Sequence, residues 1–143
     1  MQKTVKQLIA NKGSEVYSVP SDHLVIDALA MLADHNIGAV LVIDDGELVG
    51  IVSERDYARK VILKGRHSHS TTVGDIMTPD PVTVEPSATV GDCMAMMTEH
   101  RFRHLPVVED GSLVGVISIG DVVLGVIDDQ RFLIEQLESY ITG

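Results

Sequence analysis

The sequence is short of basic residues, aromatic residues and cysteine. Its 11 lysines and arginines face 21 aspartates and glutamates, a formal net charge of −10 at pH 7 and an isoelectric point near 4.8. Binding to a nucleic-acid duplex rests on a cationic face, so general DNA or RNA binding is not expected. There is no tryptophan, and three tyrosines and two phenylalanines make a poor stacking platform for single strands. One cysteine, Cys93, forms no internal disulfide and offers too few thiols for a zinc cage. No apolar run reaches the roughly 18 residues of a membrane span. The opening stretch MQKTVKQLIANKG lacks the apolar core of a secretory signal, and a cytoplasmic location is the expectation.

What is present is a globular composition. Hydrophobic residues make up 45% and charged residues 22% of 143 positions, too apolar for a disordered chain. The length suits one compact domain or two small halves sharing a core. The few basic residues are clustered: Arg55, Arg59, Lys60, Lys64 and Arg66 form one island, Arg101 and Arg103 a second. Such islands suit a small anion.

The chain is a duplication. Shifted by 65 positions, Val19 to Ile62 lies without a gap on Val84 to Ile127, and about a third of the paired residues are identical. Gly46 falls on Gly111, Gly50 on Gly115, Ser53 on Ser118 and Asp56 on Asp121. A lead-in also repeats, Thr4 to Ile9 against Thr72 to Met77. Two copies are too few for a solenoid, which leaves two halves packed about a pseudo-twofold axis as the expected geometry.

Each copy reads as β-α-β-β-α, an α/β unit. A short strand is predicted at Tyr17–Val19 and Val82–Val84. The following helix carries an apolar stripe, Val25, Ala28, Leu29 and Leu32 in one copy and Val90, Cys93, Met94 and Met97 in the other. Thr89 with Asp92 three residues on has the form of a capping box. Two β-rich runs then flank Asp45-Gly46 or Asp110-Gly111, the signature of a hairpin turn. A second helix is predicted to start at Ser53 and at Ser118. Residues 1–66 are thus repeat one with its lead-in helix. Residues 67–128 are repeat two with the polar linker, and 129–143 a C-terminal helix. That last helix, with Leu133, Leu137, Tyr140 and Ile141 on one face, is expected to dock on a partner subunit or on the module itself.

Two readings fit Ser53-Glu54-Arg55-Asp56 and Ser118-Ile119-Gly120-Asp121. In one, serine and aspartate only cap a helix. In the other, the free amides of the helix start attract phosphate, while the aspartate accepts hydrogen bonds from a ribose diol. Arg55 lies inside the first motif. The second has Gly120 in that place, but Arg101, Arg103 and His104 precede its strand. Each site therefore draws positive charge from a different quarter, and the two should not be equivalent.

These motifs resemble a tandem pair of CBS domains (cystathionine-β-synthase domains), a Bateman module. The resemblance rests on Gly-hydrophobic-hydrophobic-Ser-x-x-Asp at 50–56 and 115–121, on Arg103-His104-Leu105-Pro106-Val107-Val108, and on Ile76-Met77-Thr78-Pro79. It implies a non-catalytic regulatory module with adenosine-containing ligands in clefts between the repeats. AMP comes first; ADP, ATP, NAD(P) and S-adenosylmethionine are the alternatives, with no metal required. It also implies a homodimer and a separate, unidentified regulated protein. Carried over, Asp56 and Asp121 would hold ribose hydroxyls, and Ser53 and Ser118 would contact phosphate or ribose. Glu54 belongs to the same helix start. Arg55, Arg103 and His104 would meet phosphate. The backbone near Tyr17, Gly38, Ala39, Pro79 and Val82 would edge the adenine, with Pro106 on the adjoining strand. Copy one departs from the pattern at Leu41 and Gly38, the places of Pro106 and Arg103.

Enzymatic templates fail. Gly115 to Gly120 has the spacing of a phosphate-binding loop, but Asp121 stands where lysine is required. His100 and His104 bracket a helix-to-strand change and share no face for a metal; His67 and His69 lie in the linker. Cys93, beside Met94, Met96 and Met97, reads as a buried structural thiol. A ligand-free dimerisation module and a small phosphotransfer or hydrolytic enzyme remain as rival classes.

Overall fold

The computed structural model describes residues 2–142. The chain falls into two compact units, one made of residues 16–81 and the other of residues up to 15 together with those from 82 onward.

The 16–81 unit is built on a four-stranded sheet in the order β1-β2-β3-β4. Its strands are β1 (Ser18–Val19), β2 (Ala39–Asp44), β3 (Glu47–Ser53) and β4 (Thr78–Pro79). β1 runs parallel to β2, and the other neighbours are antiparallel. Helix α2 (Val25–His35) buries Val25, Ala28 and Leu32 from the predicted stripe. They pack with Val19, Val40, Val42, Val52, Val61, Val73 and Ile76. Asp45 and Gly46 both take positive φ, 51° and 80°, the two-residue turn that matches strand twist.

The other unit repeats the hairpin with β5 (His104–Glu109) and β6 (Ser112–Ser118). The same bulge recurs, between Val42 and Ile43 in one hairpin and between Val107 and Val108 in the other. The turn residues Asp110 and Gly111 repeat the φ values of their mates. Helix α5 (Val90–His100) has the predicted Thr89–Asp92 capping box and buries Val90, Cys93 and Met97. Burial, with the Asp92 charge adding to it, pushes the Cys93 thiol up to about 11, as expected of a structural cysteine.

The predicted strand Val82–Val84 is reduced to one isolated parallel bridge, Val84 to Val107, in which the Val84 amide donates to the Pro106 carbonyl at 3.0 Å and the Val84 carbonyl accepts from the Val108 amide at 2.9 Å. Pro106 gives the reason. In repeat one the Leu41 amide donates to the Tyr17 carbonyl at 3.0 Å and extends β1. Pro106 stands at the place of Leu41 and has no N–H to donate.

Two boundaries also differ from the sequence reading. The lead-in helix α1 (Val5–Lys12) does not belong to the 16–81 unit that holds repeat one. Its Val5 and Leu8 belong to the core of the unit that holds repeat two. The lead-in of repeat two, α4 (Val73–Ile76), places Val73 and Ile76 in the core of the 16–81 unit. Each unit therefore combines one repeat with the other repeat's lead-in. The glycines at the exchange fit this packing: a Cβ on Gly115 would lie 2.9 Å from Ile9, and one on Gly50 2.5 Å from Met77.

The 129–143 segment is not a separate helix. Helix α6 runs unbroken from Ile119 to Thr142. Nothing in Asp128-Asp129-Gln130 breaks a helix, and Asp129 accepts from the Lys3 amide at 3.0 Å through both carboxylate oxygens.

Candidate functional site

Both Ser-x-x-Asp motifs form reciprocal caps. In the 16–81 unit, the Asp56 amide donates to Ser53 Oγ at 3.2 Å. The Ser53 amide and hydroxyl return bonds to Asp56 Oδ2 at 2.9 and 3.1 Å. The Glu54 amide donates to the Gly38 carbonyl at 3.2 Å, and Ala39 pairs with Ser53 across the hairpin. Gly38, Ala39, Ser53, Glu54 and Asp56 are thus brought together. The helix that follows is short: α3 spans Glu54–Tyr57 and passes into a π-helical turn at Ala58–Ile62.

At the start of α6 the same geometry recurs. The Asp121 amide donates to Ser118 Oγ at 3.2 Å, and the Ser118 amide to Asp121 Oδ2 at 2.8 Å. The Ile119 amide donates to the Arg103 carbonyl at 2.8 Å, and His104 pairs with Ser118. Here the sequence continues as a helix of 24 residues, with the full dipole of a long helix at its start.

Lysines complete both ends, and the sequence reading missed their role. Lys60 Nζ lies 3.2 Å from Asp56 Oδ1 and donates to the Ile76 carbonyl at 2.9 Å. Thr78 Oγ1 donates to the same Oδ1 at 3.3 Å. Lys12, at the end of α1, donates to Asp121 Oδ2 at 2.6 Å and to the Val116 carbonyl at 3.0 Å. Repeat two has Gly125 at the place of Lys60, so its lysine comes from the lead-in. Lys60 was legible as an Asp–Lys i, i+4 pair. Lys12, 109 residues from its partner, left no local signal.

The aspartates are covered but not sealed: the Asp56 side chain is 12% exposed and that of Asp121 20%. Asp56 uses both oxygens in these bonds. The Lys12 ammonium and Ser118 amide share Oδ2 of Asp121 and neither uses Oδ1. Burial pushes the Asp121 carboxyl up, but the bonds from Lys12 and Ser118 and the Lys12 charge outweigh it and hold it below the usual range. Burial depresses His104, helped by Lys12 and Arg103 and opposed by Asp121.

The remaining predicted residues are spread more widely. Tyr17 stacks on His35 with ring centroids 3.8 Å apart. Pro79 pairs with Gly50 on β4, and Val82 is exposed. Pro106 is buried in β5. An open polar cavity of about 310 Å³, lined by Gly65, Arg66, His67, Ser70, Thr71 and Asp75, contains none of the predicted ligand residues. Among the described residues no three His, Cys, Asp or Glu side chains are grouped to hold a metal, and no helix is long and apolar enough to cross a membrane.

The duplicated motif and hairpin agree with a family model. That of the CBS domain matches residues 5–63 and again 73–128. The chain belongs to the CBS-domain family. A CBS pair is a regulatory module, so the mixed α/β fold and the regulatory class stand together. The mitochondrial CBS domain-containing protein CBSX3 of Arabidopsis thaliana is 41% identical over 149 residues, 98% of this chain and 72% of that protein. Relatives are therefore not confined to the cytosol. A CBS-domain protein from Burkholderia ambifaria MC40-6 is similar in structure, with TM-score 0.87 and 50% identity over 90% of this chain and 96% of that one. The CBS domain pair of protein MJ0100 was solved in complex with 5′-methylthioadenosine and S-adenosyl-L-methionine. It matches with TM-score 0.74 and 24% identity over 86% of this chain and 94% of that one, a likeness of fold.

Proposed function

We propose that this CBS pair binds an adenosine-containing small molecule at its Ser-x-x-Asp helix starts and passes the bound state to a separate protein, without catalysis. AMP is the first candidate; ADP, ATP, NAD(P) and S-adenosylmethionine are the alternatives. The carrying observation is the Ser118–Asp121 cap at the head of α6. A long helix sets its positive dipole end beside a carboxylate that keeps one oxygen outside the cap, with Arg103 and His104 joined to the same segment. In this reading Asp121 and Asp56 take ribose hydroxyls, and Ser118 and Ser53 take phosphate or ribose. Arg103 and Arg55 pair with phosphate, and His104, depressed by burial, acts there as a neutral hydrogen-bond donor. The backbone around Tyr17, Gly38, Ala39, Pro79 and Val82 edges the base. The adenosine compounds in the MJ0100 complex support the ligand class. A cytosolic setting belongs to the proposal, in keeping with one buried thiol.

The ligand acts by population shift: it can bias the protein only by its difference in affinity between two arrangements. A micromolar ligand carries about 8 kcal/mol of binding free energy, and a coupling of about 1–3 kcal/mol needs part of that.

One observation favours the rival structural reading. Each aspartate already has a lysine, so each cap is satisfied without a ligand. Mass spectrometry of small molecules released from the purified protein, with thermal shifts against the five compounds, separates the two. A co-purified adenosine compound, or a melting temperature several degrees higher with one of them, supports binding. No released compound and no shift at millimolar concentration leaves a purely structural module.

A further inference from the structure

We propose that the open polar cavity beside the linker binds the head group of a free amino acid, a small zwitterion with a carboxylate and a primary ammonium. The cavity measures about 310 Å³ and is lined by Gly65, Arg66, His67, Ser70, Thr71 and Asp75, which puts it at the small end of ligand pockets. All six residues belong to the 16–81 unit. Backbone bonds hold its wall in place. The Arg66 amide donates to the Val61 carbonyl at 2.9 Å, and the Val25 and Ile26 amides of α2 donate to the Thr71 and Ser68 carbonyls at 2.8 and 3.0 Å. Thr71 is 5% exposed, which anchors the wall in the unit.

Hydrogen-bonding capacity selects the ligand. The Thr71 hydroxyl donates to the His67 carbonyl at 2.8 Å, and the Ser70 hydroxyl to the same carbonyl at 3.4 Å. Both protons are thus used within the wall, and toward a ligand the two oxygens accept. The Asp75 carboxylate also accepts. Arg66 is the opposite, a fork of donors that meets a carboxylate with two parallel bonds. Among the described residues neither Arg66 nor Asp75 takes part in an ion pair or a side-chain hydrogen bond. Two opposite charges therefore line one cavity without neutralising each other. An ammonium has three N–H groups, and Asp75, Ser70 and Thr71 offer it three acceptors. The carboxylate of the same molecule then meets Arg66. A phosphate would face Asp75 and a simple amine would face Arg66, whereas a molecule with both charges satisfies both. This inference stands apart from the adenosine reading.

Amide NMR titration of the full chain with every common L-amino acid, each at millimolar concentration, tests it. At least one is expected to shift the amides of Arg66, His67, Ser70, Thr71 and Asp75 saturably. The N-acetyl and methyl-ester derivatives of that amino acid each lack one charge and should bind at least about tenfold more weakly. Arg66→Gln and Asp75→Asn should weaken binding of the amino acid itself by a similar factor. Both side chains are exposed, so the spectra of the variants should match wild type away from the cavity. No response of these amides to any amino acid would overturn the inference. Inorganic phosphate that binds there more tightly than every amino acid, or variants that bind as well as wild type, would overturn it as well.

Discussion

Asp56 and Asp121 hold the same place in the two repeats under different loads. Asp56 answers to Ser53, Thr78 and Lys60 through both oxygens. Asp121 gathers Ser118 and Lys12 on one. The non-equivalence expected from the uneven arginines therefore has a second source, in the lysines. Beside Asp121, His104 adds a pH dependence of known sign. Its folded-state value lies below the usual 6.5, chiefly through burial. The unfolded chain then binds more protons as pH falls below 6.5, so the stability is intact above that value and declines on acidification. Denaturant melts between pH 7 and pH 5 should show this decline, and His104→Ala should flatten it.

At the scale of elements, the hairpins, both central helices and all caps named in the sequence were legible because their signals are local. An apolar stripe, an Asp-Gly turn and a Thr or Ser three residues before Asp are each decided within one turn of chain. Thr89→Ala should cost about 0.5–2 kcal/mol in chemical denaturation, since the Asp92 amide then loses its side-chain acceptor. What escaped was non-local. The strand at Val82–Val84 fails because of Pro106, more than 20 residues on, and β4 pairs with β3 where Gly50 leaves room for the Met77 side chain and the Thr78 carbonyl. At the candidate site, serine and aspartate were legible and Lys12 was not: its partner is chosen by how α1 packs, which no spacing reveals. The unbroken α6 differs from the sequence reading because two adjacent aspartates suggest a boundary, whereas here they lie inside the helix, Asp129 holding the Lys3 amide.

At the scale of the whole molecule, the sequence repeats and the compact units do not coincide, because each unit carries the other repeat's lead-in. Leu8 and Ile76 test this directly. Each to alanine should cost about 2–5 kcal/mol, but in opposite places. Leu8→Ala should speed amide hydrogen exchange in β5 and β6, and Ile76→Ala in β2 and β3. Exchange that instead rises in the repeat adjoining each lead-in in sequence would refute the swapped packing.

Regulation by an adenosine compound is the claim on which the functional account depends. Its most direct measurement is titration calorimetry of AMP, ADP, ATP, NAD(P) and S-adenosylmethionine into wild type, Asp56→Asn and Asp121→Asn. The account predicts saturable binding of at least one compound to wild type, weakened by both substitutions and at least about tenfold more by that of Asp121, a difference of about 1.4 kcal/mol. Binding that is unchanged in both variants, or no heat with any compound at millimolar concentration, would contradict it.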